Sequence, residues 1–103
     1  MYKDRYWKLS VFEGLDAVRA ACDAAGVTMA DASLRWLSHH SKLRPDLGDA
    51  VIVGGSSAAQ LEAARVGLLG GPLPRAIVDA FDIAWAACKA DAAPYQRGHS
   101  LYA

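Results

Sequence analysis

Residues 50–64, AVIVGGSSAAQLEAA, contain the pattern of one β-strand, a tight turn and the start of a helix. Val51, Ile52 and Val53 form an unbroken apolar run, which is typical of a parallel strand covered by helices on both faces. Ser57 and Gln60 have the spacing of a capping box, so we predict a helix over residues 58–69. The stretch therefore predicts an α/β protein with one clear strand.

The rest of the chain has helical patterns. Apolar residues at helical spacing predict helices over residues 11–26 and 28–40, and Pro74 is placed to begin another after the GGPLP break. Residues 1–10 and 41–49 have the composition of loops. No other segment offers a convincing strand, although each unpaired buried backbone group costs about 1–3 kcal/mol. We therefore expect the strand's neighbours in a larger α/β domain or in another chain.

Composition excludes several classes of function. The 103 residues are enough for one small domain, and 11 basic and 11 acidic side chains give a net charge of zero. That balance provides no electrostatic case for binding nucleic acid or an anionic membrane. No apolar run approaches the roughly 18–20 residues of a spanning helix. Cys22 and Cys88 lie outside any CxxC pair, which favours reduced thiols, a cytoplasmic location and no metal site.

The Gly-Gly-Ser-Ser turn, residues 54–57, is the first candidate site. A glycine pair lets the backbone approach a ligand closely, and hydroxyls beside the free N–H groups of a helix N-terminus favour an anion such as phosphate. In the alternative interpretation, Ser57 only caps the helix and the glycines only form the turn. The residues alone leave both interpretations open.

Two other sets of side chains carry possible chemistry. Arg5 and Arg97 each stand near aromatic residues, and a pair of arginines can clamp an acidic substrate through two-pronged hydrogen bonds. Solvated surface arginines are the alternative. His39 and His40 are helix neighbours pointing about 100° apart, so we predict structural roles for them rather than chelation.

Seven segments in order resemble the C-terminal third of an aldo-keto reductase, in the branch of the aflatoxin aldehyde and succinic semialdehyde reductases. They are RYWK, FEGLDAVRAAC, ADASLRWLSHHSKL, GDAVIVGGSSAAQLE, GPLP, VDAFDIAW and PYQRGHS. The resemblance implies that residues 1–103 are the C-terminal portion of an NADP-dependent oxidoreductase domain. That domain is an eight-stranded α/β (TIM) barrel. Residues 51–53 would then be its last strand.

The resemblance also implies a division of roles among the candidate residues. The family's residues that bind the adenosine 2′-phosphate of NADPH are matched here by Gly54, Ser56, Ser57 and Gln60. Arg5 and Arg97 match positions that contact the substrate's carboxylate. Ala63 and Ala64 depart from the family, since they stand where an adenine-facing amide is usual. None of the family's catalytic Tyr, Asp, Lys and His can be placed in this chain.

We therefore expect the C-terminal portion of an NADPH-dependent aldehyde reductase, in which hydride passes from NADPH to an aldehyde. Its partners would be a small aldehyde and the missing N-terminal barrel portion or a second copy of the chain. The chain alone is expected to be inactive. One alternative is a non-catalytic helical interaction or complementation module. Another is a stand-alone phosphate- or nucleotide-binding module using the serine-rich turn.

Overall fold

A computed structural model describes residues 2–94, apart from the side chains of residues 2 and 4, and this part of the chain is built from helices. In chain order they are α1 Tyr2–Tyr6, α2 Leu9–Ala25, α3 Met29–His39, α4 Ala58–Leu68 and α5 Arg75–Cys88. Short 3₁₀ turns occupy Pro45–Leu47, within the predicted loop, and Lys89–Asp91. None of the helices in residues 2–94 combines the length and apolar character needed to cross a lipid bilayer.

The ends of the predicted helices follow their local capping signals. Gly26 adopts a left-handed conformation, φ 70°, after α2 and donates its N–H to the Asp23 carbonyl. Thr28 caps α3, because its hydroxyl accepts the Asp31 N–H at 3.1 Å. The helices predicted from residues 11, 28, 58 and 74 are therefore confirmed, with small shifts at their ends.

The predicted loop over residues 1–10 is wrong. Residues 2–6 form α1, and α2 starts at Leu9 rather than Val11. Lys8 separates the two helices with an extended backbone, φ −129° and ψ 144°. Its carbonyl accepts the N–H groups of Val11 and Phe12, so the first turn of α2 begins before the apolar stripe that the pattern detected.

Helices α2 and α5 pack closely because Gly14 has no side chain. A Cβ at Gly14 would lie 3.1 Å from the carbonyl oxygen and 3.2 Å from the Cβ of Ala84. The small core forms beside this crossing and includes the completely buried Cys22 and Ile77. Its other buried members are Val18, Ala32, Leu73 and Ala80.

Helices α3 and α4 form the second packed pair, and polar side chains of α3 hold the segment that follows α4. Arg35 donates to the carbonyl oxygens of residues 71 and 72 at 2.7 and 2.9 Å. His39 donates to the carbonyl of residue 70 at 2.6 Å, and His40 Nε2 accepts the N–H of Leu73 at 3.0 Å. The predicted structural roles of the two histidines are confirmed.

The predicted strand at residues 51–53 is not formed, and residues 2–94 contain no strand. Ile52 is 97% exposed, whereas Val51 and Val53 are half-buried. A strand requires a hydrogen-bonding neighbour, and the other described segments are helices, turns and loops. The apolar run therefore has the composition of a buried strand, but the described segments around it provide no neighbouring strand for backbone hydrogen bonds.

Candidate cofactor-binding turn

The turn at residues 54–57 leads directly into α4, and its hydrogen bonds tie it to the first turn of that helix. The Ser57 hydroxyl accepts the Gln60 N–H at 3.2 Å, which is one half of the predicted capping box. The Gln60 side chain reaches back one residue further than a capping box requires. Its Oε1 accepts both the N–H and the hydroxyl of Ser56, at 2.7 and 3.0 Å.

This arrangement gives the two serines different roles. The Ser56 hydroxyl proton is directed to Gln60, so that hydroxyl is occupied within the turn. The Ser57 hydroxyl oxygen acts as an acceptor, which leaves its proton for another partner. Because Gln60 Oε1 is turned inward, the amide's Nε2 is the end left for a ligand. The turn therefore presents hydrogen-bond donors to solvent.

The electrostatic environment of the turn suits an anion. The N–H groups of Ala58 and Ala59 are too near the helix start to have partners within α4. No acidic side chain lies in the first turn of α4, so the positive end of its dipole is not neutralised there. Further along, Glu62 is held by Arg65 through bonds of 2.7 and 3.0 Å, which lower the pKa of the Glu62 carboxyl.

Arg5 lies in a separate contact between the two ends of the described chain. Its Nη2 donates to the carbonyl of Pro94 at 3.0 Å, and its guanidinium carbon lies 5.7 Å from the centre of the Tyr6 ring. Lys8 donates to the Asp91 carbonyl, and the Ser10 hydroxyl donates to the Asp91 carboxylate at 2.6 Å. These bonds fasten the start of the chain to residues 91–94.

The structure brings together one of the two predicted residue sets. The four predicted cofactor residues lie in a single hydrogen-bonded turn, with Gly54 beside open space. Arg5 is half-buried, and within residues 2–94 no hydrogen bond or ion pair joins it to that turn. Arg97 lies outside the described residues. The predicted pairing of Arg5 with Arg97 stays a prediction.

Two features of the structure were not predicted from the sequence. One is the polar edge of α3, where Arg35 bonds to residues 71 and 72 far along the chain. No local pattern marks such a contact. The other is an open apolar groove of about 570 Å³ between α2, α3 and α5. Apolar residues from Phe81 to Cys88 recur at helical spacing on the α5 side of that groove, but this spacing also fits a closed core.

Comparisons with known proteins give several extended matches. The chain is 46% identical over 94 residues to the aldo-keto reductase MYCFIDRAFT_156381 of Pseudocercospora fijiensis, covering 91% of this chain and 32% of that protein. It is 48% identical over 89 residues to human aldo-keto reductase family 7 member A3, covering 82% and 27%. It is 45% identical over 89 residues to human aflatoxin B1 aldehyde reductase member 4, with the same coverages. The chain thus spans about a third or less of these relatives. No family model matches it.

Proposed function

Because the chain is homologous over most of its length to aldo-keto reductases, as its sequence predicts, we propose that it is the C-terminal part of an NADPH-dependent aldehyde reductase. The observation that carries the cofactor assignment is the donor-rich turn at residues 54–57 before α4. In this proposal residues 1–103 complete a barrel, and residues 51–53 become a strand once neighbouring strands are present.

The turn fits the 2′-phosphate of NADPH through its chemistry. A phosphate needs several donors on one side, and the Ser57 hydroxyl, the Gln60 amide and the free N–H groups of α4 provide them. Gly54 leaves room, since a Cβ there would meet no heavy atom within 4 Å. When bound, NADPH supplies the hydride, and these residues hold the end of the cofactor remote from the reaction.

The departure at Ala63 and Ala64 affects the adenine side of the site. These methyl side chains cannot provide the usual amide. Arg65 is the next polar residue, and its guanidinium makes a two-pronged bond with Glu62. Contact between Arg65 and adenine would therefore require breaking that pair. We expect the phosphate contacts to contribute most of this chain's share of cofactor affinity.

Arg5 and Arg97 are the two residues proposed for the substrate rim, and the structure describes Arg5. Its bond to Pro94 places it beside a residue only three positions before Arg97 in the sequence. Three residues span at most about 10 Å, and this short separation supports the proposal that both arginines contact one carboxylate-bearing aldehyde. The proton donor and its partners are assigned to the preceding part of the barrel, since no family catalytic residue can be placed in this chain.

A complementation module is the second candidate function. The exposed Ile52 and the open apolar groove favour it, because both surfaces lack the cover that a finished domain provides. This module would dock onto a separate chain that carries the rest of the barrel. It differs from the first proposal in whether the two parts belong to one polypeptide, and the same residues would hold the cofactor.

The cofactor assignment is tested in a chimera in which this chain replaces the matched 89 residues of human aldo-keto reductase family 7 member A3. Ser57→Asp keeps a good N-cap acceptor while adding a negative charge to the turn. We expect it to raise the dissociation constant for NADPH roughly tenfold or more, equivalent to about 1.4 kcal/mol, and to change NADH binding little.

Thr28→Asp is the matched control, because it makes the equivalent change at the N-cap of α3. It should leave both cofactor affinities unchanged. Fluorescence titration of the chimera with each cofactor measures the effect. Equal NADPH affinity in Ser57→Asp and the unmodified chimera would contradict the assignment of the turn to the 2′-phosphate.

A further inference from the structure

Helix α1 carries Arg5 but is held to the rest of the described chain by few apolar contacts. The described side chains of α1 contribute nothing to the buried core, and Tyr6 and the following Trp7 are 48% and 61% exposed. Trp7 meets the ring of Phe12 edge-on, with ring centres 5.1 Å apart. The hydrogen bonds from the start of the chain to residues 91–94 therefore contribute to fixing the position of α1.

Arg5 differs from the other described arginines in the kind of partner it has. Each of the others forms an ion pair with a carboxylate no more than four positions away, and they are Arg19, Arg35, Arg44, Arg65 and Arg75. Arg5 instead donates to the carbonyl of Pro94, and no ion pair joins it to a carboxylate whose side chain the structure describes. A guanidinium has five N–H donors, so the charge of Arg5 and most of its donors are left for an anionic ligand.

Asp91 fastens the segment that contacts Arg5. It lies in the 3₁₀ turn after α5, three positions before Pro94. Its carboxylate accepts the hydroxyl proton of Ser10 at 2.6 Å, and its carbonyl accepts an N–H of the Lys8 ammonium group. Ser10 lies in the first turn of α2. The bond between Ser10 and Asp91 therefore joins the start of α2 to the turn after α5, and it sets where the Pro94 carbonyl stands relative to Arg5.

We propose that Asp91 and Ser10 are positioning residues for the substrate rim, because their hydrogen bond holds the carbonyl that orients the Arg5 guanidinium toward the carboxylate of an aldehyde substrate. This proposal rests on the proposed function, in which Arg5 contacts that carboxylate. It adds two residues that touch neither substrate nor cofactor. The bond then determines specificity, since it matters for aldehydes that carry a carboxylate and not for uncharged aldehydes, which offer Arg5 no anionic group.

A purely stabilising role for the bond is the alternative, because α2 and α5 already pack together at Gly14 and Ala84. Kinetics distinguish the two roles. A general loss of stability affects the reaction with every aldehyde alike, whereas a misdirected Arg5 raises KM only for aldehydes with a carboxylate. A rise in KM without a change in kcat is the sign of a lost binding contact.

Steady-state kinetics of the chimera with the human relative test the proposal, using 4-oxobutanoate and butanal as aldehydes with and without a carboxylate. We expect Asp91→Ala to raise KM for 4-oxobutanoate about fivefold or more, because it removes a hydrogen bond to a charged acceptor. Both kcat for 4-oxobutanoate and KM for butanal should change less than about twofold. Asp79→Ala is the matched control, since Asp79 is an exposed aspartate of α5 that pairs with Arg75. It should leave both KM values unchanged.

A double-mutant cycle tests whether the two residues act through one bond. Ser10→Ala should raise KM for 4-oxobutanoate as much as Asp91→Ala does, and the double variant should rise no further, because either substitution removes the same bond. Ser10→Thr keeps the hydroxyl and should retain the KM of the unmodified chimera. This conservative variant shows that a rise in Ser10→Ala comes from the lost donor and not from a damaged fold.

Three outcomes would overturn the proposal: an unchanged KM for 4-oxobutanoate in Asp91→Ala, an equal rise for butanal, or additive effects of the two alanine substitutions. Arg5→Met separates this proposal from the proposed function, and it should raise KM for 4-oxobutanoate roughly tenfold or more through loss of the charged donor. A rise in Arg5→Met without one in Asp91→Ala refutes only the positioning role. No rise in Arg5→Met refutes the substrate rim itself.

Discussion

Arg35→Met tests how the segment after α4 is held against α3. The Arg35 guanidinium donates to the carbonyl oxygens of residues 71 and 72 at 2.7 and 2.9 Å, and its side chain is only 18% exposed. A hydrogen bond from a charged group contributes about 1.5–3 kcal/mol. Both acceptor residues are exposed and water can replace the lost donors, so the lower end of that range applies. The expected loss is about 3 kcal/mol for both bonds together.

The contact between Arg35 and Asp31 adds little to this estimate. The two side chains approach only to 3.9 Å, and Asp31 is 42% exposed. A pair of this kind contributes about 0–1 kcal/mol. Methionine preserves much of the apolar stem, so the substitution isolates the guanidinium's bonds from its packing. Arg35→Lys retains the charge without the planar fork and should lose an intermediate amount.

Urea unfolding of the 103-residue chain, followed by far-UV circular dichroism, measures the effect. Arg19→Met is the matched control, because Arg19 is 59% exposed and its one ion pair with a described residue is with Asp16, at 3.2 Å on the same helix. It should cost less than about 0.5 kcal/mol. If Arg35→Met and Arg19→Met changed the free energy of unfolding equally, the hydrogen bonds of Arg35 would have no role in stability and the reasoning would be refuted.

Three further changes probe the helix crossing, the core thiol and the cap. Gly14→Leu should cost about 1–3 kcal/mol in urea unfolding because its side chain meets Ala84, whereas Ala20→Leu, at an exposed site on α2, should be tolerated. Burial raises the pKa of the Cys22 thiol and the charge of neighbouring Asp23 adds to this, so the thiolate forms more readily in the unfolded chain. Stability should therefore fall as the pH rises above about 8.5, and this fall should be smaller in Cys22→Ala. Ser57→Ala should cost about 1 kcal/mol in thermal unfolding and Ser57→Asp almost nothing; equal losses would contradict the capping role.

Local signals predicted the helices because the relevant contacts lie within a few residues. Gly26 and Thr28 mark the boundary between α2 and α3 through bonds that span three or four positions. The capping pair Ser57 and Gln60 likewise located the start of α4. The structure adds only that the Gln60 side chain accepts the N–H of Ser56 rather than that of Ser57. Contacts this short are present in the sequence pattern itself.

Long-range contacts explain what the sequence analysis missed. The bonds of Arg35 to residues 71 and 72, and of Ser10 to Asp91, join positions 36 to 81 residues apart and leave no periodic trace. The strand at residues 51–53 failed for the opposite reason. Its local pattern is strong, but a strand depends on partners that residues 2–94 do not contain. The grouping of the proposed cofactor residues was predictable because one turn holds them all.

The central claim is that this chain holds part of the cofactor while the preceding part of a barrel carries the proton donor and its partners. Aldehyde-dependent oxidation of NADPH tests this claim most directly. The purified 103-residue chain and the chimera with the human relative are assayed side by side, at equal concentration and with the same aldehyde. The account predicts turnover by the chimera and none by the chain alone. Turnover by the isolated chain, or an inactive chimera that is folded and binds NADPH, would contradict it.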